Sequence, residues 1–128
     1  MNDDEMRDML IDYMGRGFLD NIIALCKQEP STCRFIPDMV EAENIRVRLG
    51  ATALVEELLP RYNRELRIAV PGLVKLLNHV SPTVRGDAAS LLGTIKDESA
   101  AIALQACLQD PHPGVREAAR DALADLAR

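Results

Sequence analysis

Two histidines, three cysteines and one short run of arginines are the residues of this chain whose types and spacing could do chemistry. His79 and His112 both fall in turns on the same edge of the predicted architecture. With Asp110 they would offer three donors to a metal, one short of a closed tetrahedral set. The competing reading is a pair of exposed turn histidines. Cys33 follows Pro30 and Ser31 at a predicted helix start, where a thiol can be activated. The competing reading there is a half-buried structural cysteine. Cys107 falls on a core position of its helix and is expected to be inert. Arg61, Arg64 and Arg67 form a basic cluster that could hold a phosphate or an acidic protein surface, with Glu65 among them weakening the signal. No GxSxG, HExxH, P-loop or dinucleotide fingerprint occurs. The expectation is a protein that is not an enzyme, with no cofactor and no metal.

The elements that must position these residues follow from a repeat. From Val84, offsets of +4, +7, +8 and +11 give Ala88, Leu91, Leu92 and Ile95. Those offsets share one face of a helix that turns once in about 3.6 residues. From Val115 they give Ala119, Ala122, Leu123 and Leu126; from Val47 they give Ala51, Leu54, Val55 and Leu58. Backward offsets of −11, −8 and −7 give Leu73, Leu76 and Leu77, then Leu104, Cys107 and Leu108, then Ile36, Met39 and Val40. Each unit is therefore a first helix, a short turn and a second helix. The markers recur after 37 and then 31 residues, a solenoid period. An arginine follows each marker: Arg48, Arg85 and Arg116.

The stretches VPGLVKLLNHVSPTVRGDAASLLGTI and AIALQACLQDPHPGVREAARDALADL resemble HEAT repeats, in the short form also found in phycobilin lyase subunits. The resemblance is clear over residues 66–127, weaker over 34–60 and nearly absent from the first thirty. It implies an all-α fold, an α-solenoid of about eight helices in four antiparallel pairs. The organisation expected is one domain over 1–128, with an atypical capping pair at 1–30 and repeats at 31–60, 66–95 and 97–127. It also implies that Arg48, Arg85 and Arg116 form a structural ladder, each bonding a turn carboxylate or carbonyl. Asp110 matches the carboxylate role only in the last repeat. Second helices would line the concave face.

Composition bounds the rest. Hydrophobic residues are 48% of the chain, which excludes disorder. Residues 1–43 hold ten acids and four bases; residues 44–128 hold ten acids and eleven bases. With aromatics at 3% and no tryptophan, no basic stacking stripe exists, so nucleic acid is not an expected partner. No apolar run reaches membrane-spanning length, the start MNDDEMRDML does not read as a signal peptide, and the cysteine count is odd without a CxxC pair. A cytoplasmic setting away from membranes is the expectation.

Helices are predicted over 3–14, 18–28, 31–41, 44–59, 67–79, 82–95, 98–109 and 113–127. Ser31, Asn44, Ser81 and Asp97 read as N-caps. His112 reads as a poor cap that Asp110 could replace. On the second helices, offsets +2, +6 and +9 reach the expected groove at Leu49, Ala53 and Glu56, then at Gly86, Ser90 and Gly93, then at Glu117, Asp121 and Ala124. Small residues at Gly86, Ser90 and Gly93 would let a partner approach closely. Leu49 is either an apolar anchor or packs on the N-terminal helices. The function expected is binding of another protein, with Arg61, Arg64 and Arg67 as further contacts. The alternative is an accessory, lyase-like subunit handling a cofactor or chromophore. A homo-oligomer through Ala118, Ala122 and Ala124 of the last helix is a third arrangement.

Overall fold

The computed structural model describes residues 1–128, and every regular element in it is helical. The α-helices are α1 (Asp3–Gly15), α2 (Leu19–Gln28), α3 (Ile36–Val40), α4 (Ile45–Leu58), α5 (Asn63–Leu66), α6 (Val70–Leu76), α7 (Pro82–Ile95), α8 (Ala101–Ala106) and α9 (Pro113–Leu126). Segments of 3-10 helix at Pro30–Phe35, Arg67–Ala69, Glu98–Ala100 and Cys107–Gln109 abut α-helices. The chain thus reads as eight helical stretches in four pairs, an all-α solenoid. It divides into two compact units, Met1–Ile68 and Ala69–Arg128. No helix is long and apolar enough to cross a membrane.

The second helices form where the periodicity places them, and their caps explain why they start there. Asn44 accepts the amide N–H of Arg46 at 2.9 Å, and Ser81 that of Val84 at 3.4 Å. Pro82 and Pro113 open α7 and α9 at a position where a missing N–H costs nothing. Pro60 lies just beyond α4, which ends at Leu58. The marker valines and their +4 and +7 partners are buried in all three repeats. In α9 the outer positions Leu123 and Leu126 are only half-buried.

The first helices depart more from expectation. The third stretch begins as a 3-10 turn at Pro30, and Ser31 does not cap it; the Ser31 carbonyl instead accepts from Nη1 of Arg34 at 2.7 Å. Pro37 sits in the first turn of α3, so the α-helix starts late there. The fifth stretch starts at Asn63, four residues earlier than the periodicity predicts. Asp97 caps as expected, accepting from Ser99 N–H at 2.9 Å.

A capping box at the start of α1 was not among the expected features. Asn2 accepts the Glu5 amide at 2.8 Å, while the Asn2 amide donates to the Glu5 carboxylate at 3.4 Å. The Asn-x-x-Glu spacing is its sequence signature. Gly17, at φ +90°, makes the left-handed turn between α1 and α2.

His112 is itself the cap of α9: its Nδ1 accepts the Gly114 amide at 3.0 Å. Asp110 supports it from behind, accepting the His112 amide at 2.9 Å. Replacing His112 by alanine is expected to cost about 1 kcal/mol, and replacing it by asparagine far less, in urea unfolding.

Candidate functional site

The arginine ladder is built from one repeated geometry. Arg48 donates through Nη1 to the carbonyls of Ala42 and Glu43, both at 2.9 Å. Arg85 donates through Nη1 to His79 at 2.8 Å and Val80 at 3.2 Å. Arg116 donates to the Asp110 carbonyl at 2.7 Å. In each repeat the guanidinium reaches back six residues and closes the turn that precedes its own helix. It thereby satisfies carbonyls that the turn would otherwise leave unpaired.

Arg85 does more than its counterparts. Its Nε and Nη2 form a bidentate pair with Asp110 of the following repeat, at 2.9 and 3.1 Å. Both side chains are nearly buried, at 14% and 9% exposed. The Arg85 hydrogen bonds hold the Asp110 carboxyl below its ordinary range, helped by the His112 amide and opposed by burial. The position equivalent to Asp110 is His79 in the preceding repeat, so no carboxylate stands there. His79 has taken a turn role: its Nδ1 accepts the Ser81 amide at 3.0 Å, as His112 does for Gly114. No group of three or more His, Cys, Asp or Glu side chains is placed to hold a metal ion.

The small-residue face splits. Gly86 and Ser90 line a hollow of about 270 Å³ between the first halves of α7 and α9, with Thr83, Gly114 and Ala118. A Cβ built on Gly86 meets no atom within 4 Å, so this position is open to an approaching group. Gly93 is not. It is buried, and a Cβ there would lie 2.6 Å from Cα of Ala122 and 2.8 Å from its Cβ. Gly93 is the point where α7 and α9 touch, so it is removed from the candidate contact residues. The same packing buries Ala122 and takes it out of any apolar outer face on α9; Ala124 is exposed and Ala118 half-buried.

In the first unit, Leu49 is 64% exposed yet faces a hollow of about 320 Å³ shared with Met14, Gly17, Leu19 and Ala53. It therefore meets the N-terminal helices along one side and stays open on the other. Arg61, Arg64 and Arg67 are exposed, and no salt bridge holds any of them. Glu65 does not neutralise them, because its carboxylate is turned inward with Oε2 buried. The cluster is more basic in the structure than its sequence reads. Cys33 is buried at 1% exposed, not half-buried, and Cys107 is buried as expected, which pushes its thiol up.

Paired helices in register, one arginine closing each turn and an interrupted face of small residues define a helical-repeat protein. The chain belongs to the HEAT repeats family, which matches residues 35–124. The first thirty-four residues, where the resemblance fades, lie outside the match. HEAT repeats commonly serve as protein-interaction scaffolds, and the family is generally non-catalytic. No curated protein matches the chain.

Proposed function

We propose that this protein is a non-catalytic interaction module that seats another protein on the hollow between α7 and α9. The observation that carries this reading is the open space over Gly86, flanked by exposed Ser90 and Thr83. A missing side chain lets a partner's backbone or a small side chain come close, and the neighbouring hydroxyls supply hydrogen bonds at its edge. Arg61, Arg64 and Arg67 give a further contact suited to an acidic surface, since three uncommitted guanidiniums favour carboxylates. Leu49 is the apolar anchor on the first unit.

The test is a pair of variants measured against the partner recovered with the native protein. Gly86→Leu fills the hollow without disturbing the core, and its affinity is expected to fall about tenfold or more. Replacing all three clustered arginines by glutamine is expected to weaken binding mainly at low salt. Unchanged affinity of Gly86→Leu, with normal circular dichroism, would remove the hollow from the function.

A second reading has one observation on its side. Met9, Tyr13, Ile22 and Leu25 line a largely apolar hollow of about 620 Å³ between α1 and α2, within the size range of small-molecule sites. An accessory role on a chromophore or cofactor would place it there. Visible absorption in the purified protein favours that role; a colourless protein that retains its partner favours the first.

A further inference from the structure

We propose that the hollow between α1 and α2 seats a second copy of this chain, which inserts its arginine-bearing segment around Ile68. Both halves of such a contact are present on the first unit, Met1–Ile68. One half is the hollow of about 620 Å³, with Met9, Ile22 and Leu25 as its apolar floor. Five of its eight lining residues are exposed, Tyr13, Asp20 and Ala24 among them. It is therefore an open-sided trough that a protruding side chain can enter. Tyr13 is steadied there by an edge-on contact with Phe18, ring centroids 5.7 Å apart. Both rings still stand open to solvent, at 38% and 45% exposed.

The other half is α5 with the 3-10 turn Arg67–Ala69 that follows it. Leu66 and Ala69 are fully buried, and helical spacing puts Arg64, Arg67 and Ile68 on the opposite side. Ile68 is 46% exposed, an apolar knob with exposed guanidiniums beside it. Arg61, just ahead of α5, is exposed as well.

Charge decides what fits the hollow. Residues 1–43 hold ten acids and four bases. Three of those bases, Arg7, Arg16 and Arg34, are already held by Asp3, Asp4, Asp8 and Asp12 of α1. That leaves Lys27 against the other six acids. Asp20 lines the hollow, exposed and outside all of these pairs. Glu5 stands one turn before Met9 on α1 and adds a negative charge on that side. An entering segment must be apolar at its tip and basic around it, as Ile68 is with Arg64 and Arg67. The apolar tip supplies the holding contact, and the charges around it set the register. This assignment rests on the reading of the arginine cluster as a contact for carboxylates, and it names whose carboxylates they are. The hollow of one copy takes the segment of the next. Contact between two different patches joins copies into a ring or a chain, unless two copies exchange both halves at once.

Sedimentation velocity of the purified full chain, with no other protein added, is the experiment. At roughly 0.1 mM protein and about 50 mM salt, species larger than the monomer are expected; their association constant should fall about tenfold or more by about 500 mM salt. Arg64→Glu combined with Arg67→Glu is expected to stay monomeric at low salt, and so is Asp20→Lys combined with Ala24→Lys. All four side chains are exposed, so circular dichroism should be unchanged. Each variant keeps the half that the other has lost, so mixing the two is expected to restore the larger species. Ile68→Gln is expected to be monomeric at both salts. Gly86→Leu is expected to associate like the wild type, which separates this contact from the face on α7. A wild type that is monomeric at both salts, association that survives either charge-reversed variant, or a mixture that stays monomeric would overturn the proposal. So would a copurifying chromophore that the Asp20→Lys, Ala24→Lys variant loses.

Discussion

Placing valine at Gly93 is expected to destabilise the protein by about 3 kcal/mol, the upper end of what overpacking a close contact costs. The reason is geometric. Even the first added carbon would lie 2.6 Å from a backbone atom of Ala122, and backbone cannot swing aside as a flexible side chain can. α7 and α9 would have to separate, opening the packing around Leu92 and Ala119, both fully buried. Gly86, seven residues earlier on the same helix, is the contrast. Nothing lies near its Cβ position, so Gly86→Ala is expected to gain about 0.5–1 kcal/mol from helix propensity. Urea unfolding of the two variants reads both effects. Equal effects of the same sign would mean that α7 and α9 do not cross at Gly93.

Removing Arg85 is expected to be the costliest change in the ladder. Arg85→Met leaves Asp110 nearly buried without its bidentate partner and strips the His79 and Val80 carbonyls as well. A loss of about 3 kcal/mol follows from breaking such a pair on one side. Arg48→Met gives up carbonyl bonds alone and is expected to cost about 1 kcal/mol. The pair also predicts a pH dependence. The Asp110 carboxyl titrates lower in the folded chain than in the unfolded one. Its contribution is therefore complete above the unfolded value, about 3.9, and is lost as pH falls through the folded one. The stability gap between wild type and Asp110→Asn should narrow below about pH 4. Asp38 has the opposite sign, because burial raises its carboxyl, but it is present in both proteins and cancels in the difference.

What was legible in the sequence is what depends on one helix facing its own partner. The offsets from Val47, Val84 and Val115 mark the side of each second helix that packs on the first helix of its repeat. Asn44 and Ser81 are visible because capping is local chemistry. The ladder was legible because Arg48, Arg85 and Arg116 recur at one position. The misreading of Gly93 has a physical cause. An offset of nine lies opposite the core stripe, so single-helix periodicity makes it solvent-facing, yet α9 packs there with Ala122. Contact between successive second helices leaves no trace in the period of either one. The matching small residues at 93 and 122 were the available signal. The first helices were blurred for another reason. Pro30 and Pro37 break the α-helical pattern where the apolar spacing alone would continue it. Glu65 shows the same limit at a surface: its neighbours predict an exposed, neutralising charge, and only the packing of α5 against the 3-10 turn Pro30–Phe35 buries its Oε2.

The proposed partner-binding face of this HEAT-repeat protein lies around Gly86 on α7. Photocross-linking tests it most directly, with a benzophenone amino acid placed in turn at Thr83, at Ser90 and, as an exposed control on α8, at Ile102. The account predicts that positions 83 and 90 capture one and the same protein, that position 102 does not, and that Gly86→Leu abolishes both adducts. Capture of that protein from position 102 with none from 83 or 90 would contradict it.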